Sequence, residues 1–453
     1  MTNPILAVIG AGPAGIRAAC TLAKAGYRPV VITEAADIGG QIYRKLPTNF
    51  KRPPDQLYGS EAKKALSLFS EFDRARSQVD LQTETLAWNI FNNRIDMSTA
   101  SRRGHLHFDK LILCTGAMDR IAPIPGWTTP GVFTLGGAQI ALKSQGVAVG
   151  TKVAFVGTGP LLYLVASQYQ DAGIEVSAVL DTTPLRHVAG KILGLLAGLS
   201  TTARGIGYIG RLLRAGTRIL TGITPTEIVG ETRVSNFRYL NGGEALSVEC
   251  DAVAMGFGLK AETQLADLAG CEFHFDHDAR QWLPTIDDHG RSSRPDVYLA
   301  GDGSRIGGAD VAELTGERAA ISVLQDLGHR DFEDRARLID RVLRRSWRFR
   351  QALDKAYPYP DTVAEWVKDD TIVCRCERIE AGELRRSVDE LSVREVNRAK
   401  AFVRSGMGRC QGRLCGLAGA EILAGRIHCP VEEVGRLRSQ PPVKPISVST
   451  EQN

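Results

Sequence analysis

The sequence is poor in several features that define major classes of protein. Its net charge is only +5 on 453 residues, whereas nucleic-acid-binding domains usually carry a larger positive excess concentrated on one face. The most hydrophobic stretch of the later sequence, Ile192–Leu199, is far shorter than the roughly 20 residues that a membrane-spanning helix needs. We therefore predict no nucleic-acid partner and no transmembrane segment.

A secretion signal is also missing, because Met1–Pro4 leads directly into the apolar segment Ile5–Ile9. We predict a cytoplasmic protein, and peripheral association with the inner face of the cytoplasmic membrane stays open. In that reducing compartment the nine cysteines are not expected to form disulfides. The basic run Arg335–Arg350 has apolar residues at helical spacing, which predicts an amphipathic helix facing solvent or another subunit, with anionic lipid or nucleic acid as alternatives.

Paired thiols beside a nucleotide motif are absent too. Cys20, Cys250 and Cys271 are isolated in the sequence, and no Cys-x-x-Cys lies beside either glycine motif described below. Disulfide reductases need a nucleophilic and a resolving thiol next to the flavin, so that activity is disfavoured. No Ser/His/Asp or paired-carboxylate arrangement can be assigned, and we predict no catalytic acid–base residues.

Glycine, by contrast, is abundant, with 47 residues that mark most of the turns. Strand, glycine turn, helix and strand follow one another twice, and such alternation predicts parallel sheets with crossover connections. The first unit comprises Ile5–Ile9, Gly10–Ala25 and Pro29–Thr33, and the second comprises Lys152–Val156, Gly157–Ala172 and Glu175–Leu180. The predicted fold class is α/β, with two dinucleotide-binding (Rossmann-like) domains and a small, mainly helical domain after them.

The glycine pattern also suggests where the domains begin and end. A tail is expected because Gln440–Asn453 is rich in Pro, Ser and Val without periodicity. The predicted regions are a discontinuous first domain at 1–118 and 256–330, a second nucleotide-binding domain at 119–255, a helical linker at 331–370, a cysteine-containing domain at 371–430 and a tail at 431–453.

The first glycine motif has the context that a dinucleotide site needs, since it follows a strand and opens a helix. Its glycines permit a tight turn, the approach of a pyrophosphate and close packing of helix on strand, and the helix N-terminus supplies amide donors. Glu34, about 20 residues further on, is placed to accept hydrogen bonds from a ribose. The candidate binding residues are Gly10, Gly12, Pro13, Ala14, Gly15 and Glu34.

Three further segments resemble those of flavoproteins with two dinucleotide-binding domains. Gly301-Asp302 resembles their second flavin motif, in which the aspartate accepts hydrogen bonds near the ribityl chain and pyrophosphate. Thr115-Gly116 resembles their Ala-Thr-Gly turn, with Cys114 in place of Ala, and Gly39-Gly40-Gln41 matches a stretch that lies along FAD. The resemblance implies FAD as the cofactor of the first domain, with Gly40, Gln41, Thr115, Gly116, Gly301 and Asp302 among its binding residues.

The second glycine motif is less complete. It contains Gly157 and Gly159, but Leu162 stands where the third glycine is expected, and leucine prevents the closest packing of helix on strand. Asp181 at the end of the next strand is a plausible ribose partner. NAD(P)H, an adenine nucleotide such as ATP, and a vestigial empty site all remain open for the second domain.

Four cysteines form two close pairs near the C-terminus, and we predict them as metal ligands: Cys374, Cys376, Cys410 and Cys415. Nearby arginines would stabilise thiolates and the negative charge of a cluster. A [2Fe–2S] cluster is favoured over zinc because the Cys-x-x-Cys knuckles usual for zinc are missing, although zinc and no metal stay as alternatives.

This cysteine segment resembles the bacterioferritin-associated-ferredoxin-like [2Fe–2S] domain. Nearly the whole chain resembles the flavoprotein alpha subunits of opine (octopine/nopaline) oxidases, the B subunit of hydrogen cyanide synthase and D-hydroxyproline dehydrogenase subunits. The segments that carry this resemblance are Ile9–Gly15, Gly157–Leu162, Gly301-Asp302 and Gly406–Gly412. The resemblance implies electron transfer from an amino-acid-oxidase-like FAD subunit (beta), an FMN at the subunit interface, a small ferredoxin-like subunit and a respiratory electron acceptor.

The predicted function is that of an electron-transferring flavin and iron–sulfur subunit of a heteromeric dehydrogenase that oxidises a secondary amine or amino-acid derivative. One rival is a self-sufficient NAD(P)H-dependent flavoprotein reductase of a ferredoxin-like acceptor. Another is a non-catalytic assembly scaffold, which Leu162 keeps open.

Overall fold

The structure is a computed structural model that describes residues 3–47 and 51–447. Two parallel five-stranded sheets form the two main domains, and a small helical domain packs against both. The predicted fold class is confirmed.

The N-terminal segment builds most of the first sheet, whose central strand is buried on both faces. Its elements are β1 (Leu6–Ile9), α1 (Pro13–Lys24), β2 (Val30–Ile32), α2 (Pro54–Tyr58), α3 (Ala62–Ala75), β3 (Asp80–Gln82), β4 (Leu86–Phe91), β5 (Arg94–Ser98), β6 (Arg103–His107), β7 (Lys110–Leu113) and β8 (Ala117–Asp119). Strands β7, β1, β2 and β3 pair in parallel, and β4, β5 and β6 form a separate antiparallel sheet.

The second domain repeats the parallel arrangement. It contains β9 (Val132–Thr134), α4 (Leu135–Ser144), β10 (Lys152–Thr158), α5 (Pro160–Asp171), β11 (Glu175–Asp181), α6 (Leu185–Ala189), α7 (Ile192–Leu195), α8 (Leu199–Arg214), β12 (Ile219–Thr221), β13 (Thr224–Val229), β14 (Asn236–Asn241), β15 (Glu244–Glu249) and β16 (Ala252–Phe257). The parallel strand order is β12, β11, β10, β16, β9, and β13 to β15 form an antiparallel sheet beside it.

The chain then returns to the first domain through β17 (Leu259–Ala261), α9 (Gln264–Leu268), β18 (Phe273–Asp276), β19 (Gln281–Pro284), β20 (Val297–Leu299) and α10 (Ala309–Asp326). Strand β17 pairs antiparallel with β8, so the two crossings between the domains run side by side. Strand β20 pairs with β7 and completes the first sheet. Because β16 belongs to the second sheet, the second domain extends to Phe257, slightly beyond the predicted boundary at 255.

The C-terminal part comprises α11 (Glu333–Ala356), α12 (Val363–Trp366), β21 (Ile372–Cys374), β22 (Ile379–Glu380), α13 (Ala381–Leu391), α14 (Val396–Val403) and α15 (Gly416–Ile427). Its apolar residues share one core with the second domain, in which Phe257 of β16 lies beside Tyr359 and Trp366. This common core places the cysteine pairs beside the first two domains rather than on a separate body.

The prediction of a loose C-terminal tail is wrong for the residues up to 447. Val434 and Val443 are buried, and the Val443 N–H donates to the carbonyl of Trp88 at 3.1 Å. Arg436 forms an ion pair with Asp267 at 2.8 Å. Sequence composition could not reveal this, because the two valines are buried by residues far away in the chain. The last predicted tail residues, 448–453, lie outside the described residues.

The short apolar run Ile192–Leu199 is part of a longer helical stretch. In the described part of the chain this stretch, Ile192–Arg214, is the one helix long and apolar enough to cross a membrane by length and composition. It lies on the outside of the second domain, where its residues are exposed or half-buried apart from the buried Leu195 of α7 and Leu212 of α8.

Candidate flavin and iron–sulfur sites

Two glycines of the first motif, Gly10 and Gly15, stand where no side chain fits. A β-carbon on Gly10 would overlap the carbonyl of Cys114, and one on Gly15 would overlap the carbonyl of Gly10. Helix α1 starts immediately after Gly12, so its first amide groups point towards the turn. The backbone therefore leaves the open cradle at a helix N-terminus that a pyrophosphate requires.

The fold brings the three other predicted flavin segments close to this turn. A β-carbon on Gly40 would lie 2.7 Å from the α-carbon of Gly12, and one on Gly301 would lie 2.8 Å from the β-carbon of Ala14. Gly303 comes equally close to Thr115. Segments far apart in sequence thus meet with only backbone between them, which fits an extended dinucleotide such as FAD.

The polar candidates of the first site already have protein partners. One carboxylate oxygen of Asp302 accepts hydrogen bonds from the backbone N–H groups of Gly307 (2.8 Å) and Gly308 (2.9 Å), just before α10. The Glu34 carboxylate forms an ion pair with Lys444 of the C-terminal segment. Asp302 keeps a second oxygen for a ligand, whereas Glu34 would exchange its lysine for a ribose.

Two other candidates lie at the edges of the cradle. Pro13 is buried in the first turn of α1. Gln41 is exposed, and its side-chain oxygen accepts a hydrogen bond from Arg44 at 2.7 Å.

The second glycine motif keeps the tight turn but differs from the first in its neighbours. A β-carbon on Gly157 would overlap the carbonyl of Gly256, which matches the arrangement at Gly10. The Leu162 side chain is fully buried in the core beneath α5. The β-carbon of Tyr357, from the linker after α11, lies only 3.8 Å from where a β-carbon on Gly159 would stand. The linker therefore lies at van der Waals distance from the glycine loop.

The prediction that Asp181 is open to a ribose does not match its surroundings. Only 1% of Asp181 is exposed. Its carboxylate accepts hydrogen bonds from the Tyr163 hydroxyl and the Thr183 N–H, both at 2.8 Å. Burial raises the pKa of this carboxyl to about 6 despite these donors. The residue faces the interior, where it joins α5 to the end of β11.

The four predicted cluster ligands come together in two pairs. Cys374 ends β21, and its sulfur accepts a hydrogen bond from the Cys415 thiol. Cys376 lies next to Cys410 in the same way. A β-carbon on Gly408 would overlap that of Cys376, so this glycine is needed for the two cysteine loops to approach.

The surroundings of the thiols favour negative charge at Cys374 and oppose it at two others, because burial raises the pKa of Cys376 and the hydrogen bond to Cys374 together with burial raises that of Cys415. The Cys415 thiol lowers the pKa of Cys374, and so do the backbone N–H groups of Gly406, Glu377 and Cys376. Within residues 3–47 and 51–447, no three His, Cys, Asp or Glu side chains converge on one point as the ligands of a single metal ion would.

One contact joins the predicted flavin turn to the cysteine loop. The Glu262 N–H donates to the carbonyl of Gly116 at 2.9 Å, and the Thr115 hydroxyl donates to the carbonyl of Glu262. The carboxylate of the same Glu262 pairs at 2.7 Å with Arg413, which lies between Cys410 and Cys415. Both partners are largely buried, so the bridge fixes the two sites against each other.

The sequence patterns did not single out Glu262, Tyr357 or Lys444. None of them belongs to a motif, and each acts through a contact with a residue distant in the chain. Arg413 was detectable only as one of several basic residues near the cysteines.

Comparison with known families agrees with this arrangement. Residues 5–316 match the family described as pyridine nucleotide-disulphide oxidoreductase, and residues 372–425 match the BFD-like [2Fe-2S] binding domain. The second match contains both cysteine pairs, from Cys374 to Cys415, and the two helices α13 and α14 between them.

Several curated proteins match along nearly the full chain. The opine oxidase A protein of Rhizobium meliloti, one subunit of that enzyme, is 34% identical over 98% of this chain and 86% of its own length. Its counterpart in Agrobacterium tumefaciens (strain Ach5) is 35% identical over 98% of this chain and 90% of its own. The hydrogen cyanide synthase subunit HcnB of Pseudomonas protegens is 30% identical over 99% and 97%.

Solved structures show the same fold at lower identity. The L-proline dehydrogenase from P. horikoshii superposes with a TM-score of 0.71 at 19% identity, over 98% of this chain and 78% of that one. The T. acidophilum thioredoxin reductase superposes with a TM-score of 0.52 at 19% identity, over 71% and 98%. By these matches the chain belongs to the pyridine nucleotide-disulphide oxidoreductase family, in the group of flavin and iron–sulfur oxidoreductase subunits that includes the opine oxidase A proteins.

Proposed function

We propose that this chain transfers electrons within a heteromeric dehydrogenase that oxidises a secondary amine or amino-acid derivative of the opine type. Its partner would be an amino-acid-oxidase-like FAD subunit that removes the electrons from the amine. The full-length similarity to the opine oxidase A proteins supports this proposal. The amine-oxidising pocket would then lie in the partner subunit, which agrees with the lack of an assignable acid–base constellation in this sequence.

The observation that carries the proposal is the Glu262 bridge. Glu262 holds the Thr115-Gly116 turn through its backbone and Arg413 of the cysteine loop through its carboxylate. Electron transfer between two centres needs a short and constant separation, and a largely buried, charge-assisted hydrogen bond keeps separation constant. When bound, the flavin would supply two-electron chemistry and the cluster one-electron transfer to a further acceptor.

The proposed residue roles are those that the sequence motifs and the family resemblance suggest. The proposed cluster ligands are Cys374, Cys376, Cys410 and Cys415. The proposed FAD-binding residues are Gly10, Gly12, Pro13, Ala14, Gly15, Glu34, Gly40, Gln41, Thr115, Gly116, Gly301 and Asp302. An FMN at the subunit interface, a small ferredoxin-like subunit and a respiratory acceptor complete the proposal, and these rest on the family resemblance.

The self-sufficient NAD(P)H reductase is less well supported. A nicotinamide dinucleotide would need the glycine loop of the second domain, beside which Tyr357 lies, and a ribose acceptor, but Asp181 is buried and already bonded to Tyr163. Gly157, Gly159 and Asp181 are therefore not proposed as a hydride-donor site.

A spectroscopic experiment tests both alternatives. The purified chain is examined anaerobically by visible absorption, with iron and acid-labile sulfide assayed on the same sample. We expect flavin bands and about two irons per chain. Bleaching is expected with the amine-oxidising partner plus an opine, and not with NAD(P)H alone. Rapid bleaching by NAD(P)H, or zinc without sulfide, would contradict the proposal.

A pair of cysteine variants tests the route through the cluster. Cys410→Ser should lose iron and abolish electron transfer to an external acceptor while FAD stays bound, because the ligand is lost but the flavin cradle is untouched. Cys429→Ser is the matched control, since Cys429 lies outside the two pairs and is partly exposed. Turnover of the Cys410→Ser complex at the rate of the control would exclude the cluster from the electron path.

A further inference from the structure

Lys400 on α14 is a buried lysine without a carboxylate partner. Only 8% of the residue is exposed, and its ammonium group makes one long hydrogen bond, at 3.4 Å, to the side-chain oxygen of Gln440. Across residues 3–47 and 51–447, no Asp or Glu oxygen lies within ion-pair distance of this ammonium. A buried cation without a counter-charge costs free energy, so a negative group is expected nearby.

The negative group that acts on Lys400 is the sulfur of Cys415. Burial lowers the pKa of Lys400, and the attraction of the Cys415 sulfur works against this effect. Cys415 is 1% exposed, and its sulfur also accepts a hydrogen bond from the hydroxyl of Ser405, which is 7% exposed. Two buried polar groups directed at one sulfur suit a sulfur that carries negative charge, as a cluster ligand does.

A second lysine, Lys260 on β17, also acts on this sulfur. It is partly buried. The charged groups that act on it are Glu262, Cys415, Arg413 and Arg120. Arg120 has its own carboxylate partner, Glu421, at 3.8 Å. The Glu262 carboxylate is occupied by Arg413 at 2.7 Å, so within the described chain Lys260 has no carboxylate of its own.

The cations around Cys415 therefore outnumber the carboxylates. Arg413 and Lys260 share one carboxylate, that of Glu262, and Lys400 has none. Two ferric ions, two sulfides and four thiolates together form a dianion, and reduction by one electron makes the cluster more negative still. The two lysines supply the positive charge that such a group needs when it is buried.

The other pair of proposed ligands has different surroundings. Cys376 and Cys410 are partly exposed. The arginines that precede them in the chain, Arg375 and Arg409, are exposed as well, and solvent and salt screen their charge. The buried positive charge is thus concentrated beside Cys415.

We propose that Lys400, together with Lys260, raises the reduction potential of the [2Fe–2S] cluster. Net charge and hydrogen bonds around the sulfurs set the potential of such clusters, and a nearby ammonium stabilises the added electron. The cluster gains one electron from the reduced flavin and gives one to the acceptor, and neither lysine exchanges an atom in this step. The inference rests on the cluster ligands proposed above.

An anaerobic redox titration of the purified full-length chain, followed by the electron paramagnetic resonance signal of the reduced cluster, tests it. Lys400→Met keeps the apolar stem and removes the charge, so iron and sulfide contents should equal those of the wild type. At the same applied potential we expect a ratio of reduced to oxidised cluster at least ~10-fold lower, equivalent to a midpoint about 59 mV more negative. Lys260→Met should act in the same direction with a smaller effect, because Lys260 is more exposed.

Two further variants separate charge from packing. Lys400→Arg keeps the positive charge and should restore most of the lost potential. Lys63→Met is the matched control, since Lys63 is an exposed lysine on α3, and should leave the midpoint unchanged.

A Lys400→Met midpoint equal to that of Lys63→Met, or a Lys400→Arg midpoint as low as that of Lys400→Met, would overturn the proposal. If Lys400→Met fails to bind iron, Lys260→Met decides, and an unchanged midpoint in that variant overturns it. A wild-type chain without iron and sulfide would instead contradict the proposed function.

Discussion

The two nucleotide-binding domains share the same strand–glycine–helix turn and differ in the residues that lie next to it. In both, a strand ends in a glycine whose β-carbon position is filled by a backbone carbonyl, at Gly10 and at Gly157. In the first domain backbone segments surround an open cradle. In the second, Leu162 is buried in the core beneath α5, and Tyr357 lies beside the loop at Gly159. A strand–glycine–helix motif therefore predicts the turn reliably, but distant residues decide whether a ligand can use it.

The strongest test of this comparison alters the second glycine of each motif. Gly12 has ordinary backbone angles and free space around it, so Gly12→Val should fold. Its side chain would enter the approach of the pyrophosphate, and we expect FAD affinity to fall about 100-fold, equivalent to an overpacking cost of roughly 3 kcal/mol. Flavin release on dilution measures this.

The matching change in the second domain is Gly159→Ala. Gly159 has a φ of +99°, so the variant should lose about 1 kcal/mol of stability through backbone strain. Flavin content should not change. Loss of flavin from Gly159→Ala as large as from Gly12→Val would show that the two loops serve one site.

The acids that follow the two second strands should differ in their response to pH. Asp181 is buried with a pKa near 6, above its ordinary value of 3.8, whereas Glu34 is exposed beside Lys444. Because the pKa of Asp181 is raised in the folded protein, the carboxyl stabilises the fold fully below pH 3.8, and this contribution to the free energy of unfolding is lost as the pH rises through 6. Asp181→Asn should therefore gain stability relative to wild type between pH 4 and pH 7, by at most about 3 kcal/mol.

Denaturant unfolding at several pH values measures that difference. Glu34→Gln is the control and should change stability by less than ~1 kcal/mol at every pH, because its ion pair is solvent-exposed. If the stability difference between Asp181→Asn and the wild type did not depend on pH, the Asp181 carboxyl would be solvated, and the second site would be open to solvent.

The smallest effect concerns the ion pair that competes with a ribose. Lys444→Met frees Glu34 from its lysine, so FAD need no longer displace an ion pair. We expect FAD affinity to rise about two- to fivefold, in line with the modest strength of an exposed pair. Titration of the deflavinated protein with FAD measures it. Weaker binding would instead make Lys444 a direct ligand of the dinucleotide.

Local patterns predicted much of the fold and less of the site. The strands of both repeated units lie where periodicity and glycine placed them, and the domain that carries the cysteine pairs is mainly helical, as predicted. Asp181 was misjudged because its burial depends on Tyr163, a residue that the motif does not involve. The packing of Val443 and the contact of Tyr357 with the loop at Gly159 could not be predicted for the same reason, since each contact joins segments that are far apart in sequence.

The return of the chain through β20 has a consequence for biosynthesis. The central sheet of the first domain contains strands from residue 6 to residue 299, so it cannot close until the entire second domain has left the ribosome. The carbonyl of Val443 then accepts a hydrogen bond from Arg413 inside the cysteine loop. The segment at Val443 thus closes the proposed cluster loop, and the order of synthesis leaves that loop open until this segment has been made.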